Sequence, residues 1–192
     1  MPNHKLIMPA VILCVICLIT TGLLSLTYEL TREQRAKQEE AAANANRLAL
    51  FPEAAGFLSL DLPEPGNIVE GLKEIMQVQS SDGKSLGYLV VGERRGYGGQ
   101  VPVMIAISNE GIISGVRVLS NEETPGLGKK VEGSAFLQQF FLKPADRKFA
   151  LSAQSGQDQQ VDAISGATLS SRAVTEAVNI AVLTYTQLEG EQ

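Results

Sequence analysis

The sequence predicts an α+β protein: a single N-terminal transmembrane helix, then an antiparallel sheet with helices packed on it. Three observations carry this. Leu6 to Tyr28 contains no charged residue. Apolar segments between residues 74 and 120 are punctuated as two hairpins. Residues 172–188 repeat small and apolar side chains at helical spacing. The length of 192 residues suits one domain with an appendage.

The uncharged run LIMPAVILCVICLITTGLLSLTY is 23 residues long. At about 1.5 Å per residue it is long enough for a helix to cross a hydrocarbon core with some tilt. It is too long for the apolar segment of a cleaved signal peptide, and no A-x-A-like site follows. Pro9 stands near the start of the span, where a helix tolerates it. Lys5 flanks one end; Arg32, Arg35 and Lys37 flank the other, among Glu29, Glu33, Glu39 and Glu40. A bare Lys/Arg count leans towards a cytoplasmic C-terminal side. Residues 29–48 are rich in Ala, Glu, Gln, Lys and Arg and read as a helical spacer, with Glu33 and Lys37 paired at i,i+4. The expected organisation is a tail and transmembrane helix over 1–28, a spacer over 29–50 and a water-facing domain over 51–192.

Pro52, Pro63 and Pro65 make residues 51–67 read as irregular. Glu74–Gln79 and Leu86–Glu93 read as strands joined across Asp82-Gly83. Val101–Ser108 and Ile112–Ser120 form a second pair, turning at Asn109-Glu110-Gly111. Four antiparallel strands are therefore expected. Phe136–Leu142 reads as a short helix with a Phe-rich face. Arg172–Leu188 is the stronger helix, with Ala173, Val174, Ala177, Val178, Ala181, Val182 and Tyr185 on one stripe.

Composition excludes several functions. Sixteen basic against 21 acidic residues give a net charge of −5, and from Glu29 onward it is −6, which argues against a nucleic-acid groove. His4 is the one histidine, and Cys14 and Cys17 are the two cysteines. Ser-His and Cys-His catalytic sites, disulfide frameworks and most His/Cys metal centres are thus excluded, so neither catalytic nor metal-ligating residues are expected. Cys14 and Cys17 share a helix face inside the anchor; they read as small apolar packing residues or as a thiolate pair near an iron–sulfur centre.

Three loops ask for more than a turn. Gly96-Tyr97-Gly98-Gly99 joins the hairpins. It suits a flexible connector, or a backbone that must approach a flat ligand with Tyr97 as a wall. Glu123-Thr124-Pro125-Gly126-Leu127-Gly128 contains a Pro-Gly type II turn signal. The turn leaves Leu127-Gly128 and the following Lys129-Lys130 unexplained; a shaped loop offering N–H groups, one apolar side chain and nearby positive charge explains them. Asp162-Ala163-Ile164-Ser165-Gly166-Ala167-Thr168 precedes the long helix. Helix capping accounts for the hydroxyls of Ser165, Thr168, Ser170 and Ser171. Gly166-Ala167 would leave the Thr168 hydroxyl little shielded. A phosphate there would meet free N–H groups and the positive helix end, with Arg172 one turn further in.

Residues 162–168 resemble the flavinylation motif of the FMN-binding domain family, D-x-x-(S/T)-G-A-(T/S). The 96–99 loop, the 123–128 loop and the single anchor match in the same order. Taken with the short length, the chain resembles the G subunits of Rnf (Rsx) electron transport complexes, relatives of the C subunits of Na+-pumping NADH:quinone oxidoreductases. The match covers most of residues 5–190. Many relatives carry His where this chain has Asn121, which puts any imidazole role there in doubt and leaves the flavin acceptor intact.

The resemblance implies FMN joined through its phosphate to Thr168 by a flavin transferase. Ser165, Gly166, Ala167 and Asp162 belong to that acceptor segment; Asp162 is expected to aid recognition or metal-assisted transfer. The ring is expected between the 123–128 loop and the start of the long helix, near Thr124, Leu127 and Gly128, with Glu123 and Lys129 next. The implied function is electron relay within an ion-translocating ferredoxin:NAD+ oxidoreductase, with membrane subunits as partners and no substrate of its own. The domain is then expected outside the cytoplasmic membrane, in the periplasm of a two-membrane bacterium, against the bare charge count. Two other readings stay open here: an anchored FMN-containing sensory ectodomain, and a flavin-free assembly protein.

Overall fold

The computed structural model describes residues 4–62, 69–151 and 159–190. The chain divides into two compact units, Met1–Ala45 and Asn46–Gln192. Helix α1 runs from His4 to Leu50. Every residue from Met8 to Tyr28 is exposed, as a helix that meets lipid would require. Thr20, Thr27 and Thr31 turn their hydroxyls back onto the carbonyls of Ile16, Leu23 and Thr27 at 2.9, 2.7 and 2.8 Å. This satisfies the polar groups of an otherwise apolar helix. Further along, Lys37 Nζ lies 2.7 Å from Glu33, the pair expected from spacing. Among the described residues α1 is the one helix long and apolar enough to cross a membrane.

The second unit is built on a five-stranded antiparallel sheet in the order β1-β2-β3-β4-β5. The strands are β1 (Gly56–Leu60), β2 (Leu72–Gln79), β3 (Ser85–Arg95), β4 (Gln100–Ser108) and β5 (Ile113–Val118). Both expected hairpins form. Gly83 adopts φ +74° in the first turn and Gly111 φ +70° in the second. Their N–H groups bond the carbonyls of Ser80 and Ser108 at 2.9 and 3.0 Å. The expectation of four strands, with 51–67 irregular, needs correction: Gly56–Leu60 pairs with β2 from Gly56 opposite Gln79 to Leu60 opposite Ile75. Being a half-exposed edge strand, β1 depends on a neighbour's backbone and leaves little burial pattern in its sequence. Pro63 and Pro65 lie outside the described residues.

Both faces of the sheet are covered, and the central strands show it. On β4, Val103, Ile105 and Ile107 join one buried cluster, while Met104 and Ala106 join another. On β3 the same alternation separates Tyr88 and Val90 from Leu89 and Val91. A strand buried on both faces reads as a continuous apolar run, as Val101–Ile107 does, broken only by Pro102. The first cluster is closed by α3 (Thr168–Gly190), through Val174, Ala177, Val178, Ala181, Val182 and Tyr185. Leu50, Phe51, Ala54 and Phe57 pack against the second.

Two further expectations need amendment. The helix over 136–142 is instead α2 (Ser134–Leu137) continued by a 3-10 turn, Gln138–Phe140. Phe141 then turns extended (φ −67°, ψ 137°) and Leu142 takes φ 59°. Only Phe136 and Phe140 face inward; Phe140 stands edge-on to Phe136 and Phe149, with ring centroids 5.7 and 5.2 Å away. Phe141 and Leu142 are exposed. The strong helix, α3, begins four residues before Arg172, because Ser171 N–H already bonds Ala167 C=O at 2.9 Å. The fold also contains a small parallel pair, β6 (Phe149–Leu151) and β7 (Gln159–Val161), too short to leave a periodic signal in the sequence.

Candidate functional site

The three loops converge. The 96–99 loop contributes Tyr97, the 123–128 loop contributes Glu123, Thr124, Leu127 and Gly128, and the α3 entry contributes residues 166–170 to the walls of one cavity of about 510 Å³. That lies within the range of small-molecule pockets.

The 123–128 loop begins as its Pro-Gly dipeptide requires. Leu127 N–H bonds Thr124 C=O at 3.2 Å across Pro125-Gly126, and Gly126 takes the φ of +80° that position i+2 of a type II turn demands. Lys129 N–H bonds the same carbonyl, also at 3.2 Å, and a 3-10 turn follows over Gly128–Glu132. Leu127 is left at the surface.

Glu123 is almost entirely buried, at 2% exposure. One carboxylate oxygen accepts Gly98 N–H at 3.2 Å; the other accepts the Ser170 hydroxyl at 2.8 Å. The glycines of both loops make room for it. A Cβ on Gly96 would collide with Glu123 Oε1, and one on Gly128 would lie 2.6 Å from Oε2. A Cβ on Gly98 would strike the Glu122 carbonyl. The flexible-connector reading of 96–99 therefore gives way to close packing. Asn121 serves the same loop: its Oδ1 accepts Glu123 N–H at 3.1 Å and its Nδ2 donates to Glu132 at 2.5 Å.

The 162–168 segment is fastened from outside by Gln139 and Ser171 and closed by a bond of its own. Gln139 bonds the backbone of Asp162 twice, accepting from its N–H at 2.7 Å and donating to its C=O at 3.2 Å. Ser171 Oγ accepts Ile164 N–H at 3.0 Å, and Ala167 N–H bonds Ile164 C=O at 2.9 Å. Ser170 and Ser171 thus fasten neighbouring loops, a task beyond capping their own helix. Thr168 is exposed at the first turn of α3. Ala167 is buried at 5% exposure, so a small side chain suits it; Gly166 is exposed, takes φ +77°, and a Cβ on it would lie 3.2 Å from Leu127 Cδ2.

Of the residues expected at the site, Glu123, Thr124, Leu127, Gly128, Gly166, Ala167 and Thr168 line the cavity. Asp162, Ser165 and Lys129 are exposed and are not among its lining residues. Leu169 joins the wall beyond those expected, although an apolar residue off the buried stripe of α3 is a readable signal. Gln139 carries no such signal, since its role depends on a segment 23 residues away. Tyr97, Leu127 and Leu169 are 73%, 46% and 53% exposed, an apolar rim around an opening. Lys130 and Arg172 are exposed as well. Among the described residues no cluster of three or more His, Cys, Asp or Glu forms a metal site.

Comparison with known proteins agrees with this architecture. Residues 96–183 match the model of the FMN-binding domain, and residues 4–50 match that of the RnfG N-terminal region. The G subunit of the Na(+)-translocating ferredoxin:NAD(+) oxidoreductase complex of Acetobacterium woodii is 30% identical, over 92% of this chain and 90% of that one. The G subunit of the ion-translocating oxidoreductase complex of Methanosarcina acetivorans is 34% identical over 94% of each. Two crystal structures share the fold. The C subunit of the Na(+)-translocating NADH-quinone reductase from Parabacteroides distasonis superposes with a TM-score of 0.50 at 24% identity, over 59% of this chain and 61% of its own. NqrC from Shewanella oneidensis superposes with a TM-score of 0.50 at 22% identity, over 73% of each chain. The chain belongs to the G-subunit family of Rnf-type ion-translocating oxidoreductase complexes, and its residues 96–183 form an FMN-binding domain.

Proposed function

We propose that this chain is a membrane-anchored flavoprotein that relays electrons within an Rnf-type ferredoxin:NAD+ oxidoreductase coupled to Na+ or H+ translocation. The relatives' names include both ions. In this reading residues 1–28 anchor the chain, 29–50 space it from the bilayer, and 51–192 form the flavin domain on the periplasmic face of the inner membrane. Other membrane subunits of the complex are its partners.

The observation that carries the proposal is the exposed Thr168 in the wall of the cavity that three loops enclose. A flavin transferase would join FMN there. The donor would be a flavin dinucleotide: Thr168 Oγ–P forms as the pyrophosphate P–O bond breaks, the nucleoside monophosphate half leaves with the hydroxyl proton, and the chain gains FMN less one water. The residues fit such a group. The exposed Tyr97, Leu127 and Leu169 offer apolar surface to a flat ring system, with Thr124 and Gly128 beside it. The first amides of a helix lack intrahelical partners and sit at its positive end, a setting suited to phosphate. Exposed Arg172, Lys129 and Lys130 add positive charge nearby. Ser165 and Asp162, exposed beside Thr168 in sequence, offer the transferase a polar surface to read. FMN supplies reversible electron uptake and release when bound; the chain's part is to hold and orient it. Covalent attachment also keeps the ring at high effective concentration beside its cavity.

Intact mass after co-expression with a flavin transferase, followed by mapping of the 162–172 peptide, tests the reading. An adduct of FMN less water on Thr168 is expected. An unmodified peptide, from cells that flavinylate another substrate, would refute it.

A further inference from the structure

We infer that Glu123 is a positioning residue of this site: its buried carboxylate fastens the 96–99 loop and the first turn of α3 to the 123–128 loop, and so shapes the cavity wall beside Thr168. The inference rests on the flavin reading of the site. Its first support is the division of labour between the two oxygens. Oε1 takes Gly98 N–H at 3.2 Å and Oε2 takes the Ser170 hydroxyl at 2.8 Å, so each neighbouring segment has one bond to the same side chain. Its second support is steric. Gly96 and Gly128 come so close to the carboxylate that neither tolerates a Cβ without displacing it. Third, the backbone of Glu123 is itself held, through Asn121 Oδ1. Among the described residues no Lys, Arg or His approaches within ion-pair distance of Glu123. Its role is therefore to accept two neutral donors in a fixed geometry, and pairing with a cation is no part of it.

Glutamine can meet both partners. Its carbonyl oxygen accepts Gly98 N–H, and its amide donates to Ser170 Oγ, whose hydroxyl is free to rotate. Alanine meets neither. The full-length chain in detergent is compared as wild type, Glu123→Gln, Glu123→Ala and Ser170→Ala. Amide hydrogen exchange of the 96–99 and 168–171 segments is read without flavin, and the visible circular dichroism of the flavin is read after loading. Glu123→Ala is expected to exchange the Gly98 amide about tenfold faster, as the loss of a charge-assisted bond predicts, and to lose most of the flavin dichroism. Ser170→Ala, which removes one donor and keeps the carboxylate, should loosen 168–171 and leave Gly98 protected. Glu123→Gln should retain both signatures. Wild-type exchange at Gly98 in Glu123→Ala would overturn the inference. So would a Glu123→Gln chain as loose as the alanine variant, or a Ser170→Ala chain indistinguishable from wild type. A wild-type chain that never takes up flavin would instead remove the functional reading, while exchange alone still reports whether Glu123 holds the loops.

Discussion

Replacing Gly128 with alanine tests whether the cavity wall is packed as tightly as its geometry requires. The added Cβ would lie 2.6 Å from Glu123 Oε2, 2.8 Å from Glu123 Cβ and 2.9 Å from Ser170 Oγ. A flexible tip could swing aside, but Glu123 Cβ is tied to the backbone. The carboxylate is also buried, and any displacement gives up its bonds to Gly98 and Ser170. Overpacking of this kind costs about 1–3 kcal/mol. Loss of a hydrogen bond to a charged group costs about 1.5–3 kcal/mol. Because displacement relieves part of the overlap, the two do not sum fully, and about 2–4 kcal/mol is expected. For a domain of this size that lowers Tm by about 5–15 °C. The control is Gly99→Ala. There the nearest atom to a new Cβ is Glu122 Oε2 at 3.9 Å, and φ is not positive. That variant should melt within about 2 °C of wild type. Differential scanning calorimetry or thermal circular dichroism of the two detergent-solubilised chains decides the matter. Equal Tm values would show that the glycines near Glu123 are not there for its carboxylate.

Three other outcomes follow from the same structure. Thr168→Val removes an exposed hydroxyl, so it should abolish the flavin adduct by mass while changing stability by no more than about 0.5 kcal/mol. Phe140→Ala empties a fully buried position between Phe136 and Phe149 and should cost about 3–5 kcal/mol, read by denaturant titration. Tyr185 is held above the usual phenol value of 10.0, first by burial, then by Glu189 and Tyr88. A raised folded-state value means the unfolded chain loses this proton first. The contribution is therefore complete below about pH 10 and declines as pH climbs from there through the folded-state value. Denaturant midpoints should fall over that window, and Tyr185→Phe should flatten the fall; an unchanged slope would count against it.

Much of the fold is legible because local rules are enough. An uncharged run of 23 residues states its own helical span. The two hairpins announce themselves through Asp82-Gly83 and Asn109-Glu110-Gly111, and the glycine in each takes positive φ. The stripe from Ala173 to Tyr185 marks the helix face that packs on the sheet. Legibility fails where an element leans on its neighbours. Strand β1 owes its conformation to pairing with β2. The Phe136–Leu142 segment is rich in large apolar side chains, yet only Phe136 and Phe140 of its aromatic residues turn inward; a clean helical stripe would require the run to stay helical past Phe140.

The sequence by itself determined the apolar N-terminal helix, the antiparallel sheet, the packing helix and the three loops from which the cavity is made. It also singled out Thr168, because a motif of adjacent residues carries its own spacing. Only the tertiary structure decided that Glu123 faces inward, that Ala167 is small because it is buried, and that Gln139 holds Asp162. Glu123 meets Gly98 across 25 residues and Ser170 across 47, and Gln139 meets Asp162 across 23. Contacts between segments so far apart depend on how the sheet and helices pack, and no local pattern of side chains records them.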